Sequence, residues 1–104
     1  MIVRRLVSLV IPCYNEQEAL PYLYDELKNV TKEISEYDFE FLFVDDGSWD
    51  HTKDMILEYA KEDKRVRYFG FSRNFGKEAA MYAGFCNVRG QYVAVMDADM
   101  QDPP

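Results

Sequence analysis

Short apolar runs alternate along the chain with longer segments in which apolar residues recur every three or four positions. The runs cover residues 6–11, 39–44, 66–71 and 92–96, and they are rich in β-branched and aromatic residues. Because most of their positions are apolar, they are typical of strands that are covered on both faces. The pattern predicts the order β-α-β-α-β-α-β.

The first segment between strands predicts an amphipathic helix. Its apolar residues form one stripe, while the polar residues between them are expected to face water; the stripe consists of Leu20, Leu23, Leu27, Val30 and Ile34.

Two further helices are predicted. The second has Asp50 as its N-cap, and it buries Met55, Ile56, Tyr59 and Ala60. The third covers residues 77–88 and ends near Gly90 as its C-cap. Its small residues are expected to let it approach the sheet closely; they are Ala79, Ala80, Ala83 and Gly84.

This alternation predicts an α/β fold with a Rossmann-like, open parallel sheet and helices on both faces. The 104 residues suffice for one domain, residues 1–104. In such sheets, ligands bind beyond the carboxyl ends of the strands, near the point where the strand order reverses. Residues that directly follow strands are therefore the candidates for function.

Charge and composition exclude several classes of protein. The formal net charge of −7 disfavours nucleic acid as a partner, and a phosphorylated ligand would require a metal ion or a few placed cations. No stretch approaches the roughly 20 apolar residues of a membrane span, so this chain by itself is expected to be soluble.

The cysteines, Cys13 and Cys86, are predicted to be free and buried.

The first strand is followed by the sequence PCYNE, residues 12–16. It lacks the glycines that bring a backbone close to the pyrophosphate of NAD or FAD, so simple dinucleotide binding is disfavoured. Tyr14 offers a stacking face and Glu16 a carboxylate for hydroxyl or amide groups. Alternatively, Pro12 only ends the strand, and Asn15 or Glu16 begins the helix.

Two adjacent carboxylates, Asp45 and Asp46, follow the second strand and precede Gly47 and Ser48. Both cannot easily be buried and ionised. One is expected to cap the turn or the next helix. The other would then accept hydrogen bonds from a nucleobase or a ribose.

The fourth strand runs into Asp97 and Asp99. In extended chain, positions i and i+2 point to the same side, about 7 Å apart. The repulsion of two such carboxylates costs roughly 3 kcal/mol, and a divalent cation reverses its sign. Mg²⁺ or Mn²⁺ is the expected ion, with Gln101 as a further ligand or supporting contact. The alternative is a solvated acidic turn.

Two cations, Arg73 and Lys77, lie between the third strand and the third helix. Beside the partial positive charge of the helix N-terminus they could contact phosphate. Alternatively, they pair with the surplus carboxylates, which is the commoner role of a surface cation.

Four segments occur in the order VSLVIPCYNEQEAL, FLFVDDGSWDHT, SRNFGKEAAMYAGF and VAVMDADMQDPP. In this order and spacing, they resemble family-2 glycosyltransferases with a GT-A fold. The resemblance is greatest to the polyisoprenyl-phosphate glycosyltransferases, which include dolichyl-phosphate mannose synthases and bactoprenol glucosyltransferases. RNFGKEAA and DADMQDPP favour the bactoprenol branch. Each motif alone is weak, but four in register are specific.

The resemblance implies transfer of a sugar from a nucleotide-diphosphate sugar, with a UDP-sugar favoured, to a polyprenyl phosphate, with inversion at the anomeric carbon. It implies a nucleotide-sugar site made of Pro12, Tyr14, Glu16, Val44, Asp46, Asp97, Ala98 and Asp99. Within that site Asp97 and Asp99 match the DxD motif and would bind Mg²⁺ or Mn²⁺, with Gln101 nearby. The full-length protein is expected on the cytoplasmic side of the membrane.

The sequence departs from the family pattern at Pro104, directly after the DxD region. Family members continue with an acceptor-binding part, further basic residues and membrane-attached segments. We therefore expect the N-terminal, donor- and metal-binding half of a GT-A enzyme, with no catalytic base in this chain and no transfer by this chain alone. The apolar strand edge is expected to promote homo-oligomers.

Two rival hypotheses remain open. One is a phosphohydrolase with a strand-end aspartate as nucleophile, although a glycine and a hydroxyl residue usually follow that aspartate and here prolines follow. The other is a non-catalytic α/β binding module. Phosphatase assays on simple phosphate esters distinguish the first from the transferase. Metal-dependent binding of a nucleoside diphosphate distinguishes the second.

Overall fold

The chain folds as strands alternating with helices, and the predicted order is confirmed. The computed structural model describes residues 4–98. The strands are β1 (Arg5–Cys13), β2 (Tyr37–Asp45), β3 (Val66–Gly70) and β4 (Tyr92–Val95), and the helices are α1 (Leu20–Lys32), α2 (Thr52–Glu62) and α3 (Lys77–Asn87).

The strands form one parallel sheet in the order β3-β2-β1-β4. Along β1 the register pairs Cys13 with Asp45 of β2 and Val10 with Val95 of β4. The chain moves from β1 to β3 in one direction and then crosses back, so the strand order reverses between β1 and β4. The predicted open parallel sheet is confirmed, and this reversal opens a crevice at the carboxyl ends of the two strands.

Helices cover both faces of the sheet, as predicted. Alternate residues of β1 and β2 point to opposite faces, so that each continuous apolar run contributes side chains to a buried cluster on either face of the sheet. On the α1–α2 face, Ile11, Phe41 and Phe43 belong to a cluster that also contains Leu20, Leu23 and Ile56. On the α3 face, the buried cluster consists of Val10, Leu42, Val44 and Ala80.

Helix α3 lies very close to the sheet, as its small residues predict. A Cβ atom added at Gly84 would stand 2.4 Å from Cγ1 of Val10. The prediction for Gly90 is wrong, because the C-cap is Val88. Gly90 instead donates its amide to Oγ of Ser8 at 2.9 Å, and an added Cβ would lie 2.6 Å from the carbonyl oxygen of Leu6. Close approach to β1, not helix termination, requires this glycine.

A buried polar network joins the α3–β4 connection to three strands. The carboxylate of Glu40 accepts hydrogen bonds from Oγ of Ser8 at 2.5 Å, from the Arg89 amide at 2.8 Å and from Nη1 of Arg67 at 2.9 Å. Arg67 also donates to the carbonyl of Asn87. Burial opposes ionisation of Glu40, but these hydrogen bonds outweigh it and lower its pKa. The network lies inside runs that the sequence presents as apolar.

The buried stripe of α1 differs from the predicted one at its C-terminal end. Val30 is 48% exposed and Thr31 is buried, because the hydroxyl of Thr31 donates to the Leu27 carbonyl and accepts from Nη1 of Arg65. Ile34 lies beyond the end of the helix. A hydrogen-bonded polar residue, Thr31, is therefore buried where the apolar pattern predicted Val30.

The start of α2 is shifted by one residue from the prediction. His51 is the N-cap, and Asp50 forms a local turn in which Oδ1 accepts from the Thr52 amide at 2.9 Å. The side chain of Asp50 thus still satisfies a first-turn amide, although its backbone precedes the cap.

Both cysteines are free, as predicted, but the prediction of burial holds only for Cys13. Cys86 is exposed on the outer side of α3. The prediction that the apolar runs are covered on both faces is wrong for β4, whose residues are all exposed. Within residues 4–98, none of the helices packs closely on this strand. Its apolar side chains do not contribute to the two buried clusters.

Candidate functional site

A cleft of about 200 Å³ opens at the carboxyl ends of β1, β2 and β4. It lies at the crevice between β1 and β4, where the strand order reverses. Most of the predicted site residues that can be described meet there. The lining residues are Pro12, Cys13, Tyr14, Glu16, Asp46, Lys77, Asp97 and Ala98.

The β1–α1 loop is held in shape by the β2–α2 loop. Asn15 has a positive φ of 53°, a conformation that asparagine tolerates better than most residues. Its amide donates to Oγ of Ser48 at 2.8 Å, and its Oδ1 accepts from the Trp49 amide at 2.9 Å. The Glu16 amide donates to Oγ1 of the buried Thr52 at 2.8 Å. These bonds orient Tyr14 and Glu16 toward the cleft.

The two aspartates at the end of β2, Asp45 and Asp46, are both buried and both bonded within the protein. Asp45 accepts from the Ser48 amide at 3.0 Å and from the Tyr68 hydroxyl at 3.2 Å. Burial and the charge of Asp45 raise the pKa of Tyr68 to about 12, so the phenol stays a hydrogen-bond donor at neutral pH.

Asp46 holds the loop between β3 and α3. Its carboxylate accepts from the Phe75 amide at 2.8 Å, the Gly76 amide at 3.0 Å and Nδ2 of Asn74 at 3.0 Å. The expectation that one aspartate of the pair caps locally is confirmed for Asp45. Asp46 is not free in this structure, because its carboxylate fastens the loop that leads to Lys77, but it also borders the cleft. Its contact with a nucleobase or a ribose stays a prediction.

Gly47 is required by a close approach between these loops. Its φ is +74°, and a Cβ atom there would lie 2.2 Å from the carbonyl carbon of Arg73. Gly76 also has a positive φ, +106°, but an added Cβ would meet nothing within 4 Å. Strain acts at both positions, and a steric clash acts only at Gly47.

Replacing Gly47 with alanine is therefore expected to destabilise the protein more than replacing Gly76. We expect a loss of about 2–3 kcal/mol for Gly47→Ala and about 1–2 kcal/mol for Gly76→Ala. Urea unfolding followed by circular dichroism measures both. Equal losses would show that the Arg73 backbone yields to the new methyl group.

Lys77 and Asp97 form an ion pair inside the cleft. The distance from Nζ to Oδ1 is 2.5 Å, and the two side chains are 58% and 59% exposed. Lys77 is the first residue of α3, and Asp97 follows β4 by two residues. The alternative that a loop cation pairs with a surplus carboxylate is thus confirmed for Lys77.

Two predicted site residues have other positions, and two more cannot be placed. The side chain of Val44 is fully buried and packs on the α3 face, outside the cleft. Arg73 stacks its guanidinium on Phe75, 4.3 Å from the ring centroid, and it does not line the cleft. Asp99 and Gln101 lie outside the described residues.

The cleft is acidic. Among residues 4–98, three carboxylates, from Glu16, Asp46 and Asp97, line it together with one ammonium group. Burial, followed by the charges of Glu16 and Asp45, raises the pKa of Cys13 well above its usual value, so its thiol stays protonated. A diphosphate would be repelled from this surface unless an additional cation entered with it.

The carboxylate of Asp97 can hold a cation, since the ammonium group of Lys77 already pairs with its Oδ1. Within residues 4–98, no cluster of three or more His, Cys, Asp or Glu side chains is arranged to hold a metal ion. Asp97 is the one predicted metal ligand in that range.

Within residues 4–98, none of the helices combines the length and the apolar character that crossing a membrane requires.

Sequence reasoning missed the residues that shape the loops, namely Asn15, Ser48, Thr52 and Asn74. The available signal was their chemistry, because short polar side chains in loops and at helix starts bond to nearby backbone. Their partners lie some 30 residues away, and this separation hides the pairing from any local pattern.

Sequence comparison places these features in a known family. The family model described as "Glycosyl transferase family 2" matches residues 8–104. "Putative glycosyltransferase CsbB" of Bacillus subtilis (strain 168) is 49% identical over 98 residues, which cover 94% of this chain and 30% of that protein. "Bactoprenol glucosyl transferase" of Shigella phage SfX is 41% identical over 97 residues, which cover 93% of this chain and 32% of that protein. The chain thus spans about a third of the length of these relatives.

Solved structures share the fold. TarS 1-349 of S. aureus in complex with UDP superposes with a TM-score of 0.77 at 22% identity, over 89% of this chain and 27% of that chain. Mannosyltransferase PcManGT from Pyrobaculum calidifontis, in complex with GDP-Man and Mn²⁺, gives a TM-score of 0.74 at 24% identity, over 93% and 28%. The sheet is therefore of the GT-A type, and the protein belongs to glycosyltransferase family 2.

Proposed function

We propose that this chain is the donor- and metal-binding part of a glycosyltransferase that moves a sugar from a nucleotide-diphosphate sugar to a polyprenyl phosphate. The observation that carries the proposal is the meeting of the β1, β2 and β4 ends in one acidic cleft. Among the relatives, bactoprenol glucosyl transferases favour the polyprenyl acceptor. Solved relatives in complex with UDP and with GDP-Man favour a nucleotide donor.

Each wall of the cleft has a separate role in this proposal. The exposed ring of Tyr14 stacks on the base, while Pro12 and Glu16 complete the base and ribose site. Asp46 keeps the β3–α3 loop in place, so that Lys77 stands beside the phosphates. A UDP-sugar remains the favoured donor.

Asp97 would hold Mg²⁺ or Mn²⁺, with Asp99 and Gln101 as the proposed further ligands. When bound, the ion supplies electrostatic stabilisation for the charge on the departing diphosphate. We assign the acceptor site, the general base and the contact with the membrane to the parts of the relatives that this chain does not match. Inversion at the anomeric carbon belongs to the same proposal, as does the view of residues 1–104 as one donor domain.

Family membership favours the transferase over the phosphohydrolase, and nucleotide binding separates it from the plain binding module. We expect UDP or GDP to bind in the presence of Mn²⁺. Asp97→Asn is expected to weaken that binding tenfold or more, because a carboxylate ligand of the metal ion is lost. Isothermal titration calorimetry with and without Mn²⁺ measures this.

The matched control is Asp54→Asn, since Asp54 is an exposed carboxylate on α2 outside the cleft. It is expected to leave nucleotide affinity within about twofold of the original chain. Equal effects of the two substitutions would remove Asp97 from the site. Failure of both nucleotides to bind would favour the binding module.

A further inference from the structure

The ion pair of Lys77 and Asp97 places an ammonium group on the carboxylate that the proposed function assigns to a metal ion. Nζ donates to Oδ1 of Asp97, so the ammonium group occupies an oxygen that a metal ion at Asp97 would need. A lysine and a divalent ion on the same carboxylate would repel each other strongly. The two cations are therefore expected to exclude each other at Asp97.

The side chain of Lys77 can leave without a change in the fold. Both partners are more than half exposed, and exposed pairs of this kind contribute little to stability. The backbone before Lys77 is fixed, because Asp46 binds the amides of Phe75 and Gly76. Lysine is a flexible stem with a point charge at its end, so rotation about the side-chain bonds suffices to move the ammonium group.

We propose that Lys77 is an exchangeable counter-ion: it neutralises Asp97 while the cleft is empty, and it turns to the diphosphate when a metal ion takes its place. This inference rests on the proposed function. One side chain then serves two states. Without ligand it reduces the repulsion among Glu16, Asp46 and Asp97. With ligand it adds positive charge beside the phosphates, where an ammonium is a suitable partner.

The proposal predicts opposite effects on two affinities when the charge is removed. With Lys77→Met, we expect Mn²⁺ alone to bind about three- to fivefold more tightly, because its competitor at Asp97 is gone. We expect UDP with saturating Mn²⁺ to bind about fivefold or more weakly, because a charge-assisted contact to phosphate is lost. Lys77→Arg keeps the charge, and each of its two affinities is expected to lie between that of the original chain and that of Lys77→Met.

The experiment uses the 104-residue chain. Free Mn²⁺ is counted by electron paramagnetic resonance, UDP binding is measured by calorimetry, and circular dichroism checks that each variant is folded. The control is Lys61→Met, which makes the same change in net charge on an exposed residue of α2 that pairs with Glu58. It is expected to change each affinity less than twofold.

The outcomes are distinguishable. Opposite shifts with Lys77→Met and none with Lys61→Met support the exchange. If Lys77→Met weakened the binding of both Mn²⁺ and UDP, Lys77 would only support the site. If it changed neither affinity, Lys77 would take no part in binding. Either result overturns the inference and leaves the proposed function standing. If the original chain binds neither UDP nor GDP with Mn²⁺ present, the proposed function fails and the exchange fails with it.

Discussion

Replacing Glu40 with glutamine is expected to lower the free energy of unfolding by about 3 kcal/mol at neutral pH. The side chain of Glu40 is 6% exposed, and that of its partner Arg67 is 24% exposed. Glutamine removes the negative charge and leaves Arg67 without an anionic partner. Its amide group must also face either Arg67 or the donors of Ser8 and Arg89, all of which need an acceptor.

The effect should depend on pH in a defined direction. Since the folded protein lowers the pKa of Glu40 from 4.5, its stabilising contribution is complete above that value and is lost as the pH falls through the folded pKa. The two proteins should therefore differ most near pH 7 and converge below pH 4.5. Urea unfolding at several pH values measures this convergence.

Glu58→Gln is the control, because Glu58 forms an exposed pair with Lys61 at 3.4 Å. Its cost is expected to stay below about 0.5 kcal/mol at every pH. If the cost of Glu40→Gln matched that of Glu58→Gln, or did not change with pH, the Glu40 network would not hold the α3–β4 connection.

Replacing Asp46 with alanine is expected to cost about 3 kcal/mol or more. The substitution removes a buried carboxylate that accepts from the amides of Phe75 and Gly76 and from Nδ2 of Asn74. A hydrogen bond to a charged group contributes about 1.5–3 kcal/mol. Under the proposed function, nucleotide affinity should also fall, because the loop that carries Lys77 loses its attachment to the end of β2.

Urea unfolding and calorimetry with UDP and Mn²⁺ measure the two effects of Asp46→Ala. Asp54→Ala is the matched control on an exposed carboxylate, and it should change neither. Asp46→Asn retains one acceptor and is expected to be milder. A variant that lost nucleotide affinity at unchanged stability would show that Asp46 contacts the ligand directly and does not hold the loop.

The layout of the site could be predicted because it follows from chain order. Parallel strands bring their carboxyl ends to one edge, so the positions of Tyr14, Glu16, Asp46 and Asp97 after strands suffice to predict that they meet. The roles of individual side chains within the site could not be predicted in this way. Val44 was assigned to the site by the family resemblance, but the pleat of β2 turns its side chain into the core.

Sequence alone determined the alternation of strands and helices, the open parallel sheet and the convergence of polar residues in one cleft. Each of these depends on local periodicity and on residue types at strand ends. Tertiary structure decided the rest, including the bonds of Asp46 to the β3–α3 loop, the pairing of Lys77 with Asp97 and the buried network of Glu40. These contacts join residues 20 to 49 positions apart, and their partners are set by strand register and side-chain direction, which no local pattern encodes.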